Sequence, residues 1–414
     1  MRALTSPPQR TRRTLRKAHR KFFLCVLCVL CVLCVEGAAG ALAQEPPAPQ
    51  PVSAEQLKAA IDKLGDLDYA TRTAASRTVR RAPANQTVPA LLQAVAEHQD
   101  GYVRYRALVL LTGFNDPRTK DAMRESLKSP NDRLRAVSYS FFEHNPDPAL
   151  SADFVAALDH EQGEFVRPAL VRAAAALAVK EPAIRQPVLR EVNRGEDFFR
   201  SAVIEALGDY KAAYAVDALI AVAKLEGPLQ DDAALALGKI GDTRALPTIA
   251  SIQQTAARSA QPSIATAICL LGVNCESHEN YLTETLKFAD KNAGFQELLR
   301  GAAAGLGALA MAGHREAAES LFQIGIPSRD PTRAPVTLAL ATIALRDTPL
   351  MMSILESSPD RANAVGLLAE GFDMLEEDLD KERFFAAVRR TYWDAAEGSP
   401  TRDLMQTLIG KLDF

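Results

Sequence analysis

A chain of 414 residues, 48% hydrophobic and 24% charged, has enough apolar material for two or three ordinary domains or for one long repeat array. Its formal net charge is −3, and over residues 44–414 it becomes −10, because the first 43 residues hold eight Lys and Arg and one Glu. Phosphate binding needs a basic stripe, so nucleic acid is excluded as the partner class.

Residues 1–43 have the three-part form of a secretory signal peptide. A basic stretch (Arg10, Arg12, Arg13, Arg16, Lys17, Arg20, Lys21) precedes an apolar run from Phe22 to Val35, and Ala41-Leu42-Ala43 supplies the small-x-small cleavage site. The run is shorter than the roughly 20 residues a helix needs to cross a bilayer, which favours cleavage before Gln44 over a permanent anchor. The expected address is therefore the periplasm or the exterior, with no stable membrane insertion after cleavage. Cys25, Cys28, Cys31 and Cys34 repeat inside the apolar run as filler, since none follows the small residue that precedes a lipid-acceptor cysteine. Thr11-Arg12-Arg13-Thr14-Leu15 is a weak match to the twin-arginine export motif, because Arg16 breaks it.

Residues 44–52, Gln-Glu-Pro-Pro-Ala-Pro-Gln-Pro-Val, predict a stiff polyproline-like linker. From residue 53 to 255 the chain falls into a rhythm. Asp68 precedes Arg72 by four residues, and Asp100 and Arg104, Asn131 and Arg135, Gly163 and Arg167, and Glu196 and Arg200 repeat that spacing. Glu226 and Gln230 continue the series. Apolar stripes follow each anchor, for example Val103, Ala107, Leu110 and Leu111, or Leu229, Ala233, Ala236 and Leu237. Spacings of four, seven and eight place these side chains on one helical face. Breakers such as Asn115-Asp116-Pro117, Gly208-Asp209 and Gly241-Asp242 separate each stripe from a second apolar helix.

The predicted unit is helix, turn, helix, and one such pair cannot bury its own apolar face, so about ten pairs must stack around a continuous core. The fold class is all-α, an α/α superhelix. Stacked openly at the usual interhelix spacing of roughly 8 to 10 Å, the pairs would make a curved rod on the order of 100 Å long.

The run Ala234-Leu235-Ala236-Leu237-Gly238-Lys239-Ile240-Gly241-Asp242-Thr243-Arg244-Ala245-Leu246-Pro247 resembles the HEAT-like repeat of the phycobilisome lyase type. Ala206-Leu207-Gly208-Asp209 with Ala215-Val216-Asp217-Ala218-Leu219 is a looser copy, and the resemblance covers residues 66–255. It implies an armadillo-like helical solenoid and says little about activity. Over 256–414 only fragments persist, Cys269-Leu270-Leu271-Gly272 and Ala304-Gly305-Leu306-Gly307-Ala308, without the Asp and Arg anchors. Divergent helical repeats and a C-terminal cap are expected there, with a tetratricopeptide-like arrangement as the minor alternative for 280–414.

The repeated arginines could form a ladder gripping an acidic ligand. Alternatively, Asp68, Asp100 and Asn131 cap helices, while Arg72, Arg104, Arg135, Arg167 and Arg200 pair with acids of neighbouring repeats. Regular recurrence favours this structural joint. Cys269 and Cys275 form an even pair beyond the signal, which in an oxidising compartment predicts one disulfide, with two buried thiols as the alternative. His98, His144, His160, His278 and His314 show no metal-ligand spacing. Glu370, Asp373, Glu376, Glu377, Asp378 and Asp380 are expected on the solvated face of a helix packed through Leu367, Leu368, Phe372 and Leu375. Phe384, Phe385, Val388, Tyr392 and Trp393 predict a capping helix.

No nucleophile elbow, phosphate loop or dinucleotide fingerprint occurs. The sequence therefore assigns no catalytic, cofactor-binding or metal residues. It points to a non-enzymatic extracytoplasmic scaffold that binds a protein partner along its repeat surface. Two alternatives stand beside it: a HEAT-like enzyme of the bilin lyase or metal hydroxylase kind, and a structural spacer in an envelope assembly.

Overall fold

Polar side chains fix where the helices begin. Ser53 accepts a hydrogen bond from the Gln56 amide while the Gln56 side chain accepts from the Ser53 amide, a reciprocal box that starts the first helix. Asp68, Asp100 and Asn131 each cap a later helix by accepting from an amide two or three residues on. The computed structural model describes residues 52–375 and 378–414. The expected signal peptide of residues 1–43, most of the expected 44–52 linker, and Glu376 and Glu377 lie outside the described residues.

In chain order the helices are α1 (Ala54–Asp62), α2 (Tyr69–Arg81), α3 (Ala84–Glu97), α4 (Gly101–Leu111), α5 (Arg118–Ser126), α6 (Asp132–His144), α7 (Ser151–His160) and α8 (Val166–Ala178). Then follow α9 (Pro182–Glu191), α10 (Asp197–Asp209), α11 (Val216–Ala223), α12 (Gln230–Ile240), α13 (Leu246–Thr255), α14 (Gln261–Leu270) and α15 (Cys275–Lys291). The last are α16 (Gln296–Met311), α17 (Arg315–Gly325), α18 (Arg333–Arg346), α19 (Thr348–Ser357), α20 (Arg361–Met374), α21 (Asp378–Asp394) and α22 (Pro400–Leu412). No strand occurs among the described residues. The all-α superhelix holds.

Even-numbered helices α2 to α20 stack one on the next as an inner row, and the odd-numbered ones from α1 to α19 lie outside them as a second row. Small residues let the inner row approach closely. A Cβ on Gly208 would sit 2.7 Å from the Ala236 Cα, and one on Gly238 would sit 2.5 Å from the Ala267 Cα. The recurring Ala-Leu-Gly of the sequence thus marks where α10, α12 and α14 nearly touch backbone to backbone.

The buried apolar residues divide into two clusters, one running from Leu57 to Leu271 and the other from Ala265 to Phe414. Leu379 of α21 belongs to the first of these. Its membership reveals the main departure from the expected open rod. α21 crosses back to pack on α4, α6 and the short turn Thr112–Phe114, while it also contacts α18, and α22 then returns to α19 and α20. The last repeats therefore close onto the first.

The acidic stretch needs a matching correction. Leu367, Leu368 and Phe372 are buried on α20, and Glu370 and Asp373 are exposed as expected. The chain then breaks at Leu375, and the acids beyond it start a separate helix. Asp380 is 5% exposed, and Glu382 just past the stretch 2%, so its end faces inward. The periodic face of a single continuous helix was the wrong frame for them.

Candidate functional site

The anchor residues occupy the loop edge, where each inner helix begins. Arg72 donates to the carbonyls of Asp66 and Leu67, Arg104 to Val95, and Arg200 to Val192. Each guanidinium thus satisfies the end of the preceding helix or its loop, which would otherwise carry orphan acceptors. Arg135 donates to the Ser129 carbonyl and holds Glu161, at the end of the following helix α7, through two bonds of 2.9 and 3.0 Å. Burial alone would raise the Glu161 carboxyl, and Arg135 together with the Gly163 and Gln162 amides leaves it below its ordinary value. Arg167 lies 3.7 Å over the Phe199 ring and 3.8 Å from Glu191. Of the anchors, only Arg135 and Arg167 reach an acid of another helix, and that acid ends the second helix of the same pair, not a neighbouring repeat as expected.

Glutamine performs the same task at Gln230, and the task continues beyond residue 256. Gln230 donates to Ala223, Gln261 to Gln253 and Ala256, Arg333 to Gly325, Ile326 and Ser328, and Arg402 to Ala395. The expected loss of anchors is corrected by these contacts. What disappears at Arg333 and Arg402 is the acidic cap four residues earlier, where Arg329 and Gly398 stand.

At the opposite, C-terminal ends of the inner helices lies the seam. Arg80 makes two bonds to Glu382, at 2.8 and 3.1 Å, and Arg106 and Tyr105 both hold Asp378, at 2.7 and 2.6 Å. His144 Nε2 and Arg383 reach Asp380 at 2.7 and 2.8 Å. Glu143 accepts from Arg172, Tyr210 and Arg346, and Arg172 extends the network to Asp209, which Lys239 also holds. Burial would raise the carboxyls of Asp378 and Asp209, but the cations beside them, Arg106 for the first and Lys239 and Arg172 for the second, leave both below the usual range. Burial and the neighbouring Glu143 push the Tyr210 phenol up.

Beside the seam, a cavity of about 310 Å³ runs along α2 between the first and last repeats. Tyr69, Tyr102, Phe385 and Phe414 give it aromatic walls, and Arg72 and Lys411 add positive charge. The Phe414 ring stacks on Phe385 at 4.1 Å.

The loop edge is different in character. Leu67 is 97% exposed, Phe165 86% and Phe198 77%, with Tyr69 and Leu225 also open. Each precedes or begins an inner helix, and Phe165 and Phe198 hold the same position relative to Arg167 and Arg200 in adjacent repeats. The loops themselves touch in sequence: Gly65 abuts Asp100, the Asn131 side chain donates to the Gly101 carbonyl, Gly163 abuts Asp132, and Gly195 abuts Arg167. Between the apolar groups stand exposed acids, among them Asp66, Asp68, Asp100, Asp132, Glu164, Glu196 and Glu226. Sequence reasoning missed this row because it followed the buried stripe. The signal was present in Glu164-Phe165 and Asp197-Phe198, large apolar groups beside acids just before a repeat helix.

Cys269 and Cys275 are joined as a disulfide that ties the end of α14 to the start of α15. His314 lies beside them, 3.7 Å from the Cys275 sulfur. His98 contacts Asp62, and His144 is part of the seam. Glu161, following His160, is committed to Arg135. Trp393 is partly exposed, flanked by Tyr392 and by the Arg402 guanidinium. No helix among the described residues is long and apolar enough to cross a membrane.

The model of the HEAT repeats family matches residues 54–141, the first repeats of the array. Its first repeats are HEAT-like. A search of curated proteins finds no match to this HEAT-like chain. Among solved structures it is similar to the E. coli protein YibA, at 16% identity and a TM-score of 0.40 over 53% of this chain and 82% of that one. It is similar to importin beta at 14% identity and a TM-score of 0.40, over 87% of this chain and 52% of that one. The complex of CpcE and CpcF of phycocyanin lyase from Nostoc sp. PCC7120 is a third, at 16% identity and a TM-score of 0.25, covering 88% of this chain and 98% of that one.

Proposed function

We propose that this HEAT-like chain is a non-enzymatic scaffold in the periplasm or outside the cell, and that it holds a protein partner along the loop edge from α2 to α12. One observation carries the reading: a line of loops, touching one another from α2 to α10, displays large apolar side chains, Phe165 and Phe198 foremost, among carboxylates. Exposed apolar groups arranged in this way are interaction anchors more often than ordinary surface. The carboxylates select a partner segment that is basic and carries its own apolar side chains. The inner row is less suited, since α21 lies across α4, α6 and α18 and the seam charges are already paired.

The test is comparative capture from the extracytoplasmic fraction with the wild-type chain and with a Phe165→Ser, Phe198→Ser double variant. Both side chains are exposed, so the variant keeps its fold and thermal midpoint. A stoichiometric basic protein that is retained by the wild type, released by added salt and absent from the variant supports the reading. Equal recovery by both chains would sink it.

A further inference from the structure

Three side chains with metal-binding chemistry, Cys269, Cys275 and His314, meet between α14, α15 and α17, and Glu279 lies against the third. Cys269 ends its helix, Cys275 opens the next, and Glu279 follows Cys275 by four residues, which puts it on the same face of α15. His314, just before α17, comes in from the other side. The two sulfurs and the imidazole nitrogens all lie within 4.8 Å of one another. Cys275 Sγ stands 3.7 Å from each ring nitrogen of His314, and His314 Nδ1 stands 3.4 Å from Glu279 Oε2.

We infer that, once the Cys269–Cys275 bond is reduced, Cys269, Cys275, His314 and Glu279 bind a divalent ion of the zinc class. Zinc takes sulfur at about 2.3 Å, and histidine nitrogen and carboxylate oxygen at roughly 2.0 to 2.2 Å, in a tetrahedron whose S···N edge is about 3.6 Å and N···O edge about 3.4 Å. The observed separations of 3.7 and 3.4 Å already match those two edges. The sulfurs must part, and the Glu279 carboxylate must turn in to join the two sulfurs and the imidazole, the three groups that already lie within 4.8 Å of one another. Two thiolates, one imidazole and one carboxylate form a donor set that favours zinc over the hard ions magnesium and calcium.

The two states exclude each other, because sulfurs bonded together offer no thiolate. Reduction by a water-soluble phosphine breaks the S–S bond with two electrons from phosphorus. The phosphine leaves as its oxide with the oxygen of one water, whose two protons go to the sulfurs. Metal binding then releases both thiol protons to solvent.

The experiment uses the full chain carrying Cys25→Ser, Cys28→Ser, Cys31→Ser and Cys34→Ser, so that Cys269 and Cys275 are the remaining cysteines. After phosphine treatment and desalting it is titrated with Co²⁺ and then Zn²⁺. The expected result is one equivalent of cobalt with thiolate-to-metal absorption and tetrahedral d–d bands, displaced by zinc, and neither band in the unreduced chain. His314→Ala should weaken cobalt affinity about tenfold or more with the helical circular dichroism unchanged. Reduced chain that shows no sulfur-to-cobalt absorption, or a His314→Ala variant with the same spectrum and affinity, overturns the proposal.

Discussion

Arg346 and Glu143 lie 203 positions apart in the chain and meet at 3.2 Å. Arg346 ends α18 and Glu143 closes α6, so their contact spans the inner row and measures how far the array has turned. Around them the seam joins the first repeats to the last through charges that have left water, and buried pairs respond asymmetrically to mutation.

Removal of one partner therefore matters more than its distance from any surface suggests. Glu382→Ala leaves Arg80 buried without its carboxylate and should cost about 3 to 5 kcal/mol. Urea unfolding would show this as a lower midpoint, and small-angle scattering should show a larger radius of gyration if the seam opens before the repeats melt. An unchanged midpoint and radius would mean that the pair contributes nothing to closure.

Acid should act on the same seam. Asp378 and Asp209 have folded values below their ordinary carboxyl value of 3.8, so each contributes stability that is complete above that value and declines as pH falls through the lower folded one. Between neutrality and pH 5 these two groups should leave the thermal midpoint unmoved, and below about pH 4 the midpoint should fall. Asp378→Asn should lower the midpoint at pH 7 and flatten the acid limb, as a calorimetric pH series would show.

The anchors give a test by rescue. Arg200→Leu should cost about 1.5 to 3 kcal/mol, because a charged donor is lost from a helix end. Arg200→Gln should recover part of that, since Gln230 and Gln261 already serve helix-end carbonyls in the later repeats. Paired chemical denaturation curves would decide it, and equal losses for the two variants would contradict the assigned role.

Gly238→Ala tests the close approach of α12 and α14. The added methyl would meet Ala267 at a separation that real atoms do not reach, so the helices must spread, at about 1 to 3 kcal/mol. Gly366→Ala, with open space around it, should be neutral or slightly stabilising. Thermal melts of the two variants should move in opposite directions or differ clearly in size.

The repeat was legible because its physics is local. Caps, stripes and breakers recur within some 30 residues, and Asp68 with Arg72 or Asp100 with Arg104 needs no knowledge of the rest of the chain. Arg333 is hidden in the sequence because no acid stands four residues before it, although the helix-end carbonyls require only the guanidinium. Asp378, Asp380 and Glu382 were illegible for a different reason. Their partners Arg106, His144 and Arg80 lie hundreds of positions away, and nothing in a charged run says whether a distant cation will come to meet it.

Closure through α21 also bears on how such a chain can change over generations. An open solenoid can gain or drop a unit and merely grow longer or shorter, since each repeat contacts only its neighbours. Here an extra helix pair would swing Arg346 away from Glu143 and carry Glu382 past Arg80, leaving stranded charges on both sides. The number of repeats is thereby locked by electrostatics, and duplication within the array should be selected against unless the clasp is rebuilt with it.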